Sequence, residues 1–267
     1  MLGFWPSDLV LVAVQAAVVA LPGAGVPPRL ARFAGRWWAL VLPLSLGLVV
    51  AAIALASVVA DALALLAAVA VPPLAAAALG WGMRGARAWL ALVAVVLLAL
   101  AWWRDGTLLG EACAVALTAL SCVTLGRLLA AAAPLRWLEA GIVAMALLDC
   151  ALVFGQQLQA PNATLNAAVA AGGYPRLHVA AFGDAAMGYG DLFAAGVLGA
   201  IVAACGQSPS RVALLVLACA GLWDLLFLVR DDLPATVPVA VALVVWRATW
   251  GREAAPRAVP AAGFNPP

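Results

Sequence analysis

Two aspartates stand in stretches of the chain that otherwise carry almost no charge. Asp149 lies in an apolar run over 135–156, and Asp191 follows Gly188, Tyr189 and Gly190 at the head of another run over 185–205. An ionised aspartate near a bilayer centre costs about 3 kcal/mol on insertion scales, so such acids face a protein interior and serve chemistry or transport. Two carboxylates that meet in a low dielectric cannot both ionise, so they share a proton. One then takes a proton from a water attacking a peptide carbonyl, and the other donates to the oxyanion or the leaving nitrogen. The pair titrates as a unit, which leaves the base and the acid unassigned between Asp149 and Asp191.

The elements that must position these acids follow from composition. With 67% hydrophobic and 10% charged residues and a mean hydropathy of +1.11, the chain is expected to be an all-α, polytopic membrane protein. At about 20 apolar residues per span, nine transmembrane helices are predicted, over 7–22, 37–60, 62–82, 86–103, 107–133, 135–156, 185–205, 210–230 and 233–250. The first is read as an anchored helix, because no basic residue precedes it. Residues 1–134 are expected to form a scaffold of helices one to five, largely facing lipid. Residues 135–250 would hold the catalytic helices six to nine with an outer loop over 157–184, and 251–267, with four prolines, a disordered cytoplasmic tail. Within the outer loop, Gly172-Gly173-Tyr174-Pro175 is a turn signal, and Pro43 and Pro72-Pro73 are expected to kink the second and third helices.

Arginine placement gives an orientation. Eleven of the fourteen arginines follow odd-numbered segments or lie in the tail, whereas Arg104, Arg176 and Arg230 share the other side with Asp8, Asp61, Asp105, Asp184, Asp231 and Asp232. The positive-inside rule then puts the amino terminus outside and the carboxyl terminus in the cytoplasm, in a cell membrane of bacterial or archaeal type. The net charge of +2 contains no basic cluster, so nucleic acid is not an expected partner. Cys113, Cys122, Cys150, Cys205 and Cys219 lie in apolar segments without CxxC spacing, which suggests neither disulfides nor zinc. His178 is the only histidine, which removes a serine-histidine protease. No cofactor or metal is implied by a two-aspartate mechanism.

Depth brings the acids together. Thirteen residues from Arg136 place Asp149 roughly 20 Å from the cytoplasmic side, and seven residues from Asp184 place Asp191 roughly 10 Å below the outer boundary. In a core of about 30 Å these describe one layer. Gly188 and Gly190 permit close approach of substrate backbone, with packing between helices as the alternative use of such small residues. Pro234, Ala235 and Thr236, at the head of the ninth segment, reach the same layer, and loosened backbone there could pair with an extended substrate strand.

In these residues the chain resembles the aspartyl intramembrane proteases, signal peptide peptidase and the presenilins. Those proteins have nine spans, a Tyr-Asp pair on the sixth, Gly-x-Gly-Asp on the seventh and Pro-Ala-Leu on the ninth. Asp149, the run from Gly188 to Asp191, and Pro234-Ala235 take the three places. Val153-Phe154-Gly155 is similar to the sequence after the first aspartate in signal peptide peptidase, and residues 175–179 resemble a short strand-forming stretch before the seventh helix. The resemblance covers residues 135–245 and implies a presenilin-like fold, intramembrane endopeptidase activity, and transmembrane-helix proteins or peptides as substrates, signal-peptide remnants among them. Leu148 stands where the family has tyrosine, and Thr236 where it has leucine, with one extra residue before Pro238.

Two alternatives stay open. Met187 to Asp191, Met-Gly-Tyr-Gly-Asp, also resembles type 4 prepilin peptidases, which place a further membrane helix between their aspartates. A proton-coupled transporter or scaffold would explain Asp224, a third acid roughly 20 Å inward from Arg211 and so at the depth of the other two.

Overall fold

Runs of alanine, leucine and valine with few helix-breaking residues leave the backbone one way to satisfy its own polar groups in an apolar setting, the α-helix. The computed structural model describes residues 4–23, 35–55, 58–168, 173–230 and 232–250. The expected tail over 251–267, Gly172, and the charges Arg29, Arg32 and Asp231 lie outside the described residues.

The order is α1 (Phe4–Ala20), α2 (Val41–Leu55), α3 (Val58–Ala77), α4 (Ala91–Trp103), α5 (Leu108–Ala132), α6 (Leu135–Phe154), α7 (Gln159–Ala167), β1 (Val179–Phe182), β2 (Ala185–Gly188), α8 (Tyr189–Ala204), α9 (Pro209–Asp224) and α10 (Val237–Thr249). Each of the nine expected segments holds a helix, five of them shorter apolar helices. Four stretches, Val59–Gly82, Leu108–Ala132, Leu135–Phe154 and Pro209–Leu228, are long and apolar enough to cross a membrane.

Three expectations change. The chain is mostly helical rather than all-α, because the loop over 157–184 contributes α7 and the first strand of an antiparallel hairpin, β1 and β2, in register Val179↔Gly188 to Phe182↔Ala185. Of the expected strand-forming stretch 175–179, only Val179 lies in β1. The seventh segment begins as strand β2 and turns helical only at Tyr189, so its first residues advance at about 3.3 Å each rather than 1.5 Å.

The third change concerns the scaffold. Every residue of α8 from Leu192 to Ala203 is buried, which makes it the central helix. Two of the supposed outer helices enclose it. A Cβ at Gly126 of α5 would lie 2.3 Å from the Gly196 carbonyl carbon, and one at Gly199 would lie 2.3 Å from the Val19 carbonyl oxygen of α1. Such spacing requires glycine, since only its absent side chain lets backbones touch. Exposed apolar side chains are spread over α3 and α4 (Leu66, Val69, Leu92, Val95) and equally over α2, α6, α9 and α10 (Leu48, Leu147, Leu222, Val244), so the lipid-like exterior is shared between the two parts of the chain.

Polar side chains repair the irregular points of this bundle. Pro72 and Pro73 sit inside α3, which ends in a π-helical turn over Ala78–Gly82. Thr124 Oγ1 of α5 donates to the Leu74 carbonyl at 2.7 Å, and Arg127 donates to the Trp81 and Gly82 carbonyls. Carbonyls freed where a helix departs from its regular ladder are thereby satisfied.

Candidate active site

Asp149 sits on α6, five residues before its end, and is 6% exposed. The sequence around it offers no donor, since Leu148 and Cys150 flank it in an apolar helix. Its donors come from 87 residues away: Thr236 Oγ1 donates to Asp149 Oδ2 at 2.6 Å, and the Thr236 N–H reaches the same oxygen at 3.4 Å. Thr236 is fully buried. Charge-assisted hydrogen bonds of this length are among the stronger contacts a buried carboxylate can make.

Asp191 lies in the first turn of α8 and is partly buried. Its Oδ2 accepts from the Gly188 N–H at 3.1 Å. This is the carboxylate half of a capping box, in which an acid at the third helical position satisfies the backbone at the helix start, and the positive end of the helix dipole favours the negative charge. Gly188 leaves room for that fold-back, since a Cβ there would sit 3.0 Å from Asp191 Oδ2 and crowd it. Gly190 serves the packing of α8 on α6, as its Cβ would lie 2.9 Å from Met145 Cε, one turn before Asp149. The two glycines thus do different work, one for the acid and one for the approach of its helix to the other acid's helix.

Asp149 lies near enough to Asp191 for its charge to act on that carboxylate. Tyr189 points elsewhere. Its hydroxyl hydrogen-bonds Ser121 Oγ at 2.8 Å, and Ser121 donates to the Thr118 carbonyl, which fastens the start of α8 to α5.

Pro234, Ala235 and Thr236 do not offer the loose backbone that their sequence suggests. The Ala235 carbonyl accepts from Gln15 Nε2 of α1 at 3.0 Å, and the Thr236 N–H is directed to Asp149. That peptide unit is hydrogen-bonded at both ends within the fold. The open edge lies elsewhere, on β2, whose outer side takes no ladder partner among the described residues.

Asp224 lies apart from the dyad. It forms the last residue of α9, and its carboxyl group lies beside that of Asp8 of α1. Both are more than nine-tenths buried.

Sequence reasoning passed over Gln15 and the contact between Glu139 and Arg247. Gln15 had a signal, being the one polar side chain between Leu9 and Ala20. Glu139 of α6 forms an ion pair with Arg247 of α10, whose guanidinium lies over the Trp246 ring at 4.5 Å. That contact ties the far ends of the two helices that Asp149 and Thr236 join.

His178, outside the spans, hydrogen-bonds the Leu165 carbonyl through Nε2 at 2.9 Å and anchors α7 to the strand region. Burial pushes its imidazole below the usual range, against the Leu165 contact and together with the charge of Arg176. Among the described residues no three His, Cys, Asp or Glu side chains cluster as metal ligands do. No protein-family model, characterised protein or solved structure matches the chain.

Proposed function

We propose that the chain is an intramembrane aspartyl endopeptidase of the Gly-x-Gly-Asp type, related to signal peptide peptidase and the presenilins, with Asp149 and Asp191 as its catalytic pair. The observation that carries this reading is the convergence of α6, α8 and the start of α10. Three elements far apart in sequence bring two carboxylates into Coulombic range and supply each with a donor.

In the reaction, one carboxylate takes a proton from a water molecule as its oxygen bonds to the scissile carbonyl carbon. The protonated partner donates to the carbonyl oxygen, and the proton then passes to the leaving nitrogen as the C–N bond breaks. Both Thr236 donors fall on Asp149 Oδ2, which leaves Oδ1 for the water or for Asp191. A substrate helix must unwind to expose its carbonyl, and the free edge of β2, which runs directly into Asp191, is suited to receive it as an added strand. The helices of all nine segments cross the bilayer in this reading, with the amino terminus outside. Substrates then have their own amino termini in the cytoplasm, as signal-peptide remnants do.

Against a prepilin peptidase, the only helix between α6 and α8 among the described residues is α7, nine residues long and far short of a span. A proton-coupled transporter is the second reading, favoured by the buried pair of Asp8 and Asp224.

The test is cleavage of a membrane-helix peptide by the purified protein in detergent. Wild type should cut, while Asp149→Ala and Asp191→Ala remain folded and inactive. No cleavage across a broad peptide panel, with proton flux in proteoliposomes abolished by Asp224→Asn, would overturn the protease in favour of the transporter.

A further inference from the structure

We infer that Gln15 of α1 is a positioning residue for Asp149, acting through the peptide unit between Ala235 and Thr236; the inference rests on the aspartyl protease reading above. Gln15 is 1% exposed, and its side-chain amide crosses 220 residues of sequence to donate to the Ala235 carbonyl. The N–H of that same peptide unit is Thr236 N–H, which points to Asp149 Oδ2.

A trans peptide is planar, and its C=O and N–H point in opposite directions. Fixing the carbonyl from one side therefore fixes the aim of the N–H on the other. The turn over residues 234–236 precedes α10; its own backbone bonds, Val237 N–H to the Pro234 carbonyl at 3.4 Å and Ala240 N–H to the Thr236 carbonyl at 3.1 Å, leave the Ala235–Thr236 peptide unengaged, and the direct hold on that plane comes from α1. The chain of contacts runs from the Gln15 amide, through one peptide plane, to a single carboxylate oxygen. Each bond in such a chain polarises the next.

Thr236 Oγ1 reinforces the result from the same residue, since its orientation depends on the backbone that Gln15 holds. Gln15 thus determines which oxygen of Asp149 is occupied and which is free. The helix that supplies it is held in register by the backbone contact of Val19 with Gly199, so α1, α8 and the turn form one rigid frame behind the acid.

A purely structural amide would cost stability when replaced and leave the chemistry of surviving folded protein unchanged. A positioning residue moves kcat and the carboxyl vibration of Asp149. The experiment compares wild type with Gln15→Met, which keeps the volume and removes the donor, and with Thr236→Val and Thr236→Ser.

Folded Gln15→Met is expected to lose about tenfold in kcat, the scale of one net hydrogen bond, with KM within about twofold. Thr236→Val should lose more, and Thr236→Ser, which keeps both donors, should recover most of the rate. In infrared difference spectra, with the Asp149 band assigned from Asp149→Asn, Gln15→Met and Thr236→Val should shift the carboxyl stretch in the same direction. Unchanged kcat and an unchanged band in folded Gln15→Met overturn the inference. If wild type cleaves nothing, the protease reading fails while the infrared band still decides whether Gln15 acts on Asp149. Should Gln15→Met not fold, Gln15→Asn, whose amide falls one methylene short of Ala235, carries the same expectations.

Discussion

The protein holds two pairs of aspartates among its helices, and they are furnished differently. Around Asp149 and Asp191 the fold gathers three donors, from Thr236 Oγ1, Thr236 N–H and Gly188 N–H. Asp8 and Asp224 have each other, and the Oδ2 of each is buried without a hydrogen-bond partner among the described residues. Two carboxyl groups can share a hydrogen bond only if one carries a proton. The first pair has donors suited to holding a negative charge, as the proposed acid-base chemistry would require, whereas the second has none aimed at its buried Oδ2 atoms. Proximity of two acids alone does not select between the pairs; the donors aimed at Asp149 and Asp191 are what favour the first as the proposed site.

The largest effect that would sharpen this contrast is catalytic. Asp149→Ala and Asp191→Ala should each lower cleavage by about 10³-fold or more, on the scale of a lost acid-base group, while Asp8→Asn and Asp224→Asn stay within about threefold of wild type. A rate assay on the four variants decides it. Loss of cleavage in Asp224→Asn comparable to that in Asp149→Ala would erase the distinction between the pairs.

Next come the contacts that set each pair's helices in place. Gly196→Ala puts a methyl 2.4 Å from the Cys122 carbonyl oxygen, a backbone atom, and should cost about 3 kcal/mol as overpacking. Gly190→Ala meets only the flexible end of Met145 and should cost about 1 kcal/mol, while disturbing the approach of Asp191 to Asp149 and lowering kcat. Thermal midpoints in detergent, read beside rates, separate the two.

Asp224→Asn should change stability by less than about 1 kcal/mol, because an amide can donate to the adjacent Asp8 carboxyl. A large loss of thermal stability would show that the second pair is a structural keystone and not a replaceable contact.

The smallest effect lies in the loop before β1. Because His178 is held below the usual imidazole range, the unfolded loop binds a proton more readily than the folded one. The anchorage of α7 is then fully stable above about pH 6.5 and weakens as pH falls below that value. Hydrogen exchange over 159–182 should speed up between pH 7.5 and 5.5 in wild type and not in His178→Gln.

Much of this was legible in one dimension. The nine helical segments were found because each is a nearly uninterrupted apolar run, and the acids stood out because nothing else near them is charged. The hairpin was hidden, since Val179–Phe182 and Ala185–Gly188 are too short and too rich in alanine to show a strand period. The supposed outer position of α1 and α5 failed for a similar reason. A helix facing lipid and a helix facing other helices are equally apolar, so hydropathy cannot tell a scaffold from a centre.

The sequence by itself determined that this chain forms long apolar helices and that Asp149 and Asp191 are its costly groups, because transfer energies and helix periodicity are local properties of the residues. Only the tertiary structure decided that Asp224 belongs with Asp8, that Thr236 and not a neighbour of Asp149 supplies its donors, and that Gln15 holds the turn between them. Those are pairings across 216, 87 and 220 residues. A hydrogen bond has a range of about 3 Å and no memory of sequence distance, so its partner is chosen by which helices pack, and that choice rests on glycine contacts no single segment reveals.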